Sequence, residues 1–314
     1  MSSTMLYQST IDRAGIVETA YRIEPYVRRT PVVAASAVPA DAVLKLELLQ
    51  HAGSFKARGA FSNLLSRAIP PAGVAAASGG NHGAAVAYAA MRLGVRARIF
   101  VPASSSAPKV ARIRAYGAEL VQTGDRYSDT IEAHDAYVAE SGALAVHAFD
   151  QVETILGTGT LGMEIEQQVP DATAVLVPVG GGGLISGIAA WFAGTNVRVV
   201  GVEPEGAPTL AYALEAGRPV DAPTGSIAYD SLAPARIGDL NFPILARSVE
   251  RVVLVSDDQI AAAQRHLWHH HTIVAEPGGA ATLAALLSGR YVAPEGERVC
   301  AIVSGGNSVA VNFA

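Results

Sequence analysis

Sulfur, charge and aromatic rings are all scarce in this chain of 314 residues, which has one cysteine, 16% charged residues and 6% aromatics. A single cysteine excludes an intramolecular disulfide and a cysteine-based metal cluster. Cys300 lies in an apolar run, where a buried, inert thiol is expected. Basic residues are not in excess: 23 Lys and Arg stand against 28 Asp and Glu, for a net charge of −5. That leaves no electrostatic footprint for nucleic acid or an anionic membrane. The opening residues, Met1-Ser2-Ser3-Thr4-Met5, lack the basic-then-apolar pattern of a secretory signal, so a cytoplasmic protein is expected. Residues 172–197 carry no charge and are long enough to cross a bilayer, but Pro178 and four successive glycines break them. Lipid offers no partners for such a backbone. A buried strand, a loop and a buried helix are expected there.

Half of the residues are hydrophobic, and glycine alone contributes 31. Small apolar residues suit helices packed on a sheet, and strand-like and helix-like segments alternate along most of the chain. The pattern predicts an α/β fold. Ser9-Thr10 is read as the cap of a first helix reaching about Tyr26. Residues 43–48 alternate with period two and read as a half-exposed strand. Further strands are expected at 73–77, 97–101, 118–121, 144–146, 174–179, 197–203, 251–255 and 298–303. Helices should start near Phe55, Asn81, Ser106, Tyr127 and Asp150. No repeat or linker divides the chain, and no further domain is expected after the last strand. Residues 217–243 form the longest irregular stretch, of the kind that often lies over an active site.

Three segments carry chemistry. In Gly53-Ser54-Phe55-Lys56-Ala57-Arg58-Gly59, Lys56 falls on the first turn of a helix, where the dipole disfavours its charged form. A solvated surface lysine is the bland alternative, but the flanks are Phe55 and small residues. Ser78-Gly79-Gly80-Asn81-His82-Gly83 directly follows a strand, and such a corner aims several N–H groups into one crevice. An ordinary tight turn reads equally well from that segment alone. Pro178-Val179-Gly180-Gly181-Gly182-Gly183 is again strand, glycines, helix, and lets bare backbone wrap a phosphate. It is neither a Walker loop, lacking Lys-Ser or Lys-Thr, nor a spaced dinucleotide fingerprint. Ser304-Gly305-Gly306-Asn307, after the last strand, is a fourth and weaker element. His269-His270-His271 cannot converge on a metal from successive helical positions and reads as a solvated helix end. Trp191 and Trp268 read as packing residues, Arg112 and Arg114 as solvent contacts, and Glu276 as a helix cap, with a pocket role as the minority reading.

Taken together and in this order, the four segments resemble the serine/threonine dehydratase family of pyridoxal-phosphate (PLP) enzymes, whose fold is shared with serine racemase and cysteine synthase. The resemblance runs from about Ile16 onward. It implies the PLP fold type II (tryptophan synthase β-like), with two parallel-sheet-based domains and the cofactor between them. Residues 1–50 and 147–314 would form the large phosphate-binding domain and 51–146 a small mobile one. It further implies that Lys56 holds the cofactor as a Schiff base and later removes the substrate's α-proton. Phe55 would pack near the ring, Asn81 would contact its 3′-oxygen, and the N–H groups of Gly180, Gly181, Gly182 and Gly183 would bind the phosphate. Ser304 would face the pyridine nitrogen. Ser78, Gly79, Asn81 and His82 would receive the substrate, with Phe149 along its side chain. A hydroxyl beside the pyridine nitrogen limits charge delocalisation into the ring, which favours rapid elimination.

The implied reaction is loss of ammonia from a small 3-hydroxy amino acid, with L-threonine or L-serine first and hydroxyaspartate or phenylserine also admitted. A homodimer is implied as well. Three departures stand out. Gly79 replaces the serine of serine racemase. The family's cation site would use Glu203, the Ala207 carbonyl and a carboxylate where this chain has Thr209, so a cation is left open. Gly157-Thr158-Gly159-Thr160 replaces Gly-Gln-Gly-Thr. The alternatives are a racemase, a cysteine-synthase-like β-substitution enzyme, or a non-catalytic phosphate- or nucleotide-binding protein using the Gly180 loop.

Overall fold

The computed structural model describes residues 11–105, 107–124 and 127–308. Ten strands follow in chain order: β1 (Val32–Ala34), β2 (Asp41–Leu46), β3 (Val74–Ala77), β4 (Ala97–Val101), β5 (Glu119–Gln122), β6 (Leu144–Ala145), β7 (Ala174–Pro178), β8 (Arg198–Pro204), β9 (Arg251–Val255) and β10 (Arg298–Val303). They form two sheets, a six-stranded one in the order β1-β2-β10-β7-β8-β9 and a four-stranded one in the order β5-β4-β3-β6. Every pairing is parallel except β1 with β2. Parallel pairing demands crossover connections, so helices cover the sheets, and the loops leaving the strand carboxyl ends open onto crevices.

The expected strands form, with bounds shifted by a residue or two. The uncharged stretch resolves into β7, a glycine loop and the buried helix Gly183–Phe192. No helix among the described residues is long and apolar enough to cross a membrane. Cys300 is fully buried on β10, and that burial pushes its thiol up to about 12. Three expectations need correction or relocation. Ser9 and Thr10 lie outside the described residues; the helix Arg13–Ile23 is capped by Asp12, whose carboxylate accepts from the Gly15 N–H at 2.8 Å. Trp268 is exposed, not packed, whereas Trp191 is buried. The strand read as half-exposed is buried at all but its first residue, and Lys45 and Glu47 have no exposure at all.

Pairing explains that last difference. Lys45 Nζ donates to Glu164 Oε2, Gln168 Oε1 and the Thr30 carbonyl, each at 2.7 Å. Arg58 grips both oxygens of Glu47 at 2.8 Å and reaches Glu164 Oε1 at 2.8 Å. Two cations and two carboxylates thus neutralise one another where single charges would be intolerable. This quartet ties β2, the helix Lys56–Ser66 and the helix Val152–Gln168 together. The last two approach closely: a Cβ on Gly157 would stand 2.5 Å from the Arg58 carbonyl. A side chain there would push away the helix that begins at Lys56.

Candidate active site

Lys56 opens the helix Lys56–Ser66, and the preceding turn is pinned to the end of β10. Phe55 N–H donates to the Ser304 carbonyl at 3.1 Å, Gly306 N–H donates to the Gly53 carbonyl at 3.0 Å, and Ser54 bridges Gly305. Gly53 has φ +77°, and the Asn307 side chain fills the space its Cβ would need, so this corner requires glycine. The Lys56 amine donates to the Ala148 carbonyl at 2.6 Å and lies 5.0 Å from the Phe55 ring centre. Burial lowers its pKa to about 8, against the opposing pull of Glu276. A meaningful fraction of the amine is therefore neutral near physiological pH, as a nucleophile and base requires.

One residue beyond Ala148, Phe149 lies on the glycine loop. A Cβ on Gly181 would stand 2.4 Å from the Phe149 ring, and one on Gly183 2.8 Å from the Phe149 Cα. Gly182, with φ +97°, turns the chain into the helix Gly183–Phe192, whose first N–H groups carry the positive end of the dipole. The loop is braced from outside. Gly238 N–H donates to the Gly181 carbonyl at 3.1 Å, and Asn241 Nδ2 to the Phe149 carbonyl at 3.1 Å. Asp150 accepts from the N–H groups of Asp239 and Leu240 at 3.0 and 2.9 Å. The stretch 217–243, read as irregular, contains the short helix Tyr229–Leu232 and packs on this loop: Ser231 O is 3.1 Å from the position of a Cβ on Gly180. From the same stretch Asp230 pairs with Lys109 of the four-stranded unit.

On the other wall, the loop after β3 carries Ser78, Gly79 and Asn81. Ser78 Oγ accepts from the Gly80 N–H at 3.2 Å. Gly79 has no left-handed φ, and the space of its Cβ is taken by Ser105 Oγ. His82 is buried and its Nε2–H donates to the Val146 carbonyl at 2.8 Å, so its ring braces the loop. Asn81 is buried and meets Glu276 Oε1 at 2.6 Å. Sequence reasoning read Glu276 first as a helix cap and second as a pocket residue; it occupies the cap position of the helix Pro277–Leu287 but its side chain makes no cap bond. Its carboxyl turns into the site, where burial raises its pKa to about 7. Ser105, Asp230 and Asn307 were also missed as participants. Only Asn307 carried a signal, within the segment after β10.

Of the residues implied for a cation, Glu203 and the Thr209 that replaces a carboxylate both bond to the chain itself. Both Glu203 oxygens accept backbone N–H groups, from Leu210 at 2.7 Å and Ala211 at 3.0 Å, and the Thr209 hydroxyl donates to the Pro234 carbonyl at 3.2 Å. Glu203 caps the helix Thr209–Ala216, and no cluster of three His, Cys, Asp or Glu suited to a metal occurs among the described residues. Ala207 is buried in the same turn. The implied PLP does fit. A bare-backbone cradle at a helix start suits its phosphate and a partly neutral lysine its aldehyde, while the carbonyl of the buried Ser304 accepts the Phe55 N–H beside that lysine.

His82 makes the site pH-sensitive. Burial, with the nearby Lys56 charge, lowers its pKa to about 3. The native state then binds fewer protons than the unfolded chain between about pH 6.5 and 3, so stability falls as pH drops through that window. On going from pH 6.5 to 5 this costs about 2 kcal/mol. His82→Gln, which keeps an N–H donor, should lose less stability than the wild type over that interval. Urea unfolding at both pH values measures this, and parallel losses would refute it.

A family model described as "Pyridoxal-phosphate dependent enzyme" matches residues 23–305. The chain is 40% identical to a phenylserine dehydratase of Ralstonia pickettii, covering 99% of this chain and 98% of the relative. It is 39% identical to an L-threonine ammonia-lyase of Geobacter sulfurreducens, covering 93% and 74%. The solved structure of maize serine racemase superposes with a TM-score of 0.90 at 35% identity, covering 96% of this chain and 94% of that one.

Proposed function

This chain belongs to the pyridoxal-phosphate dependent enzymes, and from that premise we propose that it is an ammonia-lyase, converting a 3-hydroxy amino acid to a 2-oxo acid and ammonia. The observation that carries the reading is the Lys56 amine, buried and partly neutral, which donates to the Ala148 carbonyl next to the Phe149 that packs on the glycine loop and is near enough to His82 to lower its pKa. PLP, when bound, supplies an electron sink for the bond broken at the substrate's Cα. The residues supply the rest. Lys56 Nζ holds the cofactor and, once released, takes the α-proton. The N–H groups at Gly180, Gly181, Gly182 and Gly183 bind the phosphate, with Phe149 closing one side. Phe55 and Asn81 flank the ring, and the Ser304 hydroxyl faces its nitrogen without placing a negative charge there. Ser78, Gly79 and the backbone at His82 form the wall that receives the substrate carboxylate. Loss of the β-hydroxyl as water, then hydrolysis, gives the 2-oxo acid and ammonia.

Relatives named phenylserine dehydratase and L-threonine ammonia-lyase support the lyase reading and set the substrates to try. L-Threonine, L-serine, phenylserine and 3-hydroxyaspartate should be screened for 2-oxo acid release. Turnover of at least one is expected; a PLP-loaded enzyme inert to all four would sink the reading.

A racemase is the second reading, favoured by the likeness to serine racemase. It needs a proton donor on the face opposite Lys56, and Gly79 has no side chain to give one. D-serine formed from L-serine should stay below roughly one-hundredth of the pyruvate, the deficit expected without a positioned acid. Chiral chromatography decides, and equal rates would favour the racemase.

A further inference from the structure

The Asn81 side chain is held from both ends. Its Nδ2 donates to Glu276 Oε1 at 2.6 Å, and its Oδ1 accepts from Asn307 Nδ2 at 2.6 Å. Asn307 Nδ2 also donates to the Ala52 carbonyl at 2.8 Å. A side-chain amide has one acceptor oxygen and two N–H groups. With the oxygen and one N–H engaged, a single N–H remains. Glu276 is held in turn: its own N–H donates to the Gly305 carbonyl at 3.1 Å, and its Oε1 fills the space a Cβ on Gly305 would need. Asn81 follows β3 of the four-stranded sheet, whereas Glu276 and Asn307 flank β10 of the six-stranded one. The amide's orientation thus depends on both units at once.

We propose that Glu276 and Asn307 are positioning residues, which lock the Asn81 amide across the junction of the two sheets so that its one remaining N–H serves the cofactor ring. The inference rests on the reading that Asn81 faces the ring. Without Asn307, the Glu276 carboxylate alone fixes which end of the amide is oxygen. With a neutral side chain at residue 276, the Asn307 donor alone does so. In both cases the donor offered to the ring is lost part of the time. Glu276 is surrounded by Lys56, Lys109, Asp230 and Arg112, so its own ionisation also bears on the lock.

A double-mutant cycle on the holoenzyme tests this, read by PLP affinity and by the pH midpoint of the bound cofactor's visible absorbance. Asn81→Ala, Glu276→Gln and Asn307→Asp should each weaken PLP binding about tenfold, the cost of one hydrogen bond to a charged group. Each should also move the absorbance midpoint in the same direction. Asn307→Asp keeps the size of the side chain but exchanges its N–H donors for a charged acceptor, so the uncharged Asn307→Leu, similar in size, is measured beside it; a purely packing role would leave Asn307→Leu silent. In an Asn81→Ala background, Glu276→Gln and Asn307→Asp should add almost nothing. Additive effects would overturn the lock while leaving Asn81 in contact with the ring. An Asn81→Ala variant with unchanged affinity and midpoint would overturn the underlying reading instead. Midpoint and affinity are read only from folded protein, so a variant that fails to fold is replaced by Glu276→Asp or Asn307→Ala under the same criteria.

Discussion

Lys56→Ala is expected to lose turnover by roughly 10⁴-fold or more, because one substitution removes both the covalent anchor and the general base. The same variant should still take up PLP, held without a covalent bond by the glycine loop, with weakened affinity. Borohydride should fix the cofactor onto the Lys56 peptide of the wild type and onto no peptide of the variant. The fold should survive, since among the described residues the amine makes one hydrogen bond, to the Ala148 carbonyl, and the helix behind it is anchored by Arg58. A small primary amine added to the assay should restore part of the rate by taking the missing proton. The variant's melting temperature separates a chemical from a structural loss. If it retained more than about one-hundredth of the wild-type turnover, Lys56 would not be the base, since general bases contribute about 10²–10⁴-fold by themselves.

The fold was legible because each strand is a short apolar run closed by glycine or a turn, and each crossover helix follows it directly. β1 was missed because three residues at an antiparallel edge give no periodicity to read. The two glycine corners and the helix-start position of Lys56 were legible as local strings, since both are set by neighbouring residues alone. Glu276 was legible only as a second choice: a glutamate before Pro-Gly-Gly reads first as a helix cap, and only the tertiary arrangement turns it away from its own helix toward Asn81. Asp230 and Ser231 lay in an irregular stretch whose path the sequence leaves free. Lys45 and Glu47 mislead for a different reason. Period-two alternation of charged and apolar residues looks the same whether the charges meet water or each other, and their partners are over 100 residues away for Lys45 and on a neighbouring helix for Glu47.

Those charges give the largest expected effect on stability. Arg58→Met should destabilise the protein by about 3–5 kcal/mol, the usual cost of breaking a buried ion pair by removing one partner. The substitution keeps most of the side-chain volume but leaves Glu47 buried with, among the described residues, the Thr30 hydroxyl at 2.5 Å as its side-chain hydrogen-bond donor and the Lys45 charge nearby. Glu164 keeps Lys45 and loses Arg58, the stronger of the influences that lower its pKa against burial. A melting temperature lower by roughly 5–10 °C is expected for a chain of this size. Replacing both members, Arg58→Met with Glu47→Met, removes the unpaired charge and should lose less than the two single variants together. Because Arg58 lies half a turn beyond Lys56 on the same helix, the single variant should also bind PLP more weakly, and the double variant should recover part of that affinity. Thermal unfolding of all three variants measures the coupling. An Arg58→Met protein within 1 kcal/mol of the wild type, or strict additivity in the double variant, would mean that the quartet fills space without holding the lysine's helix in place.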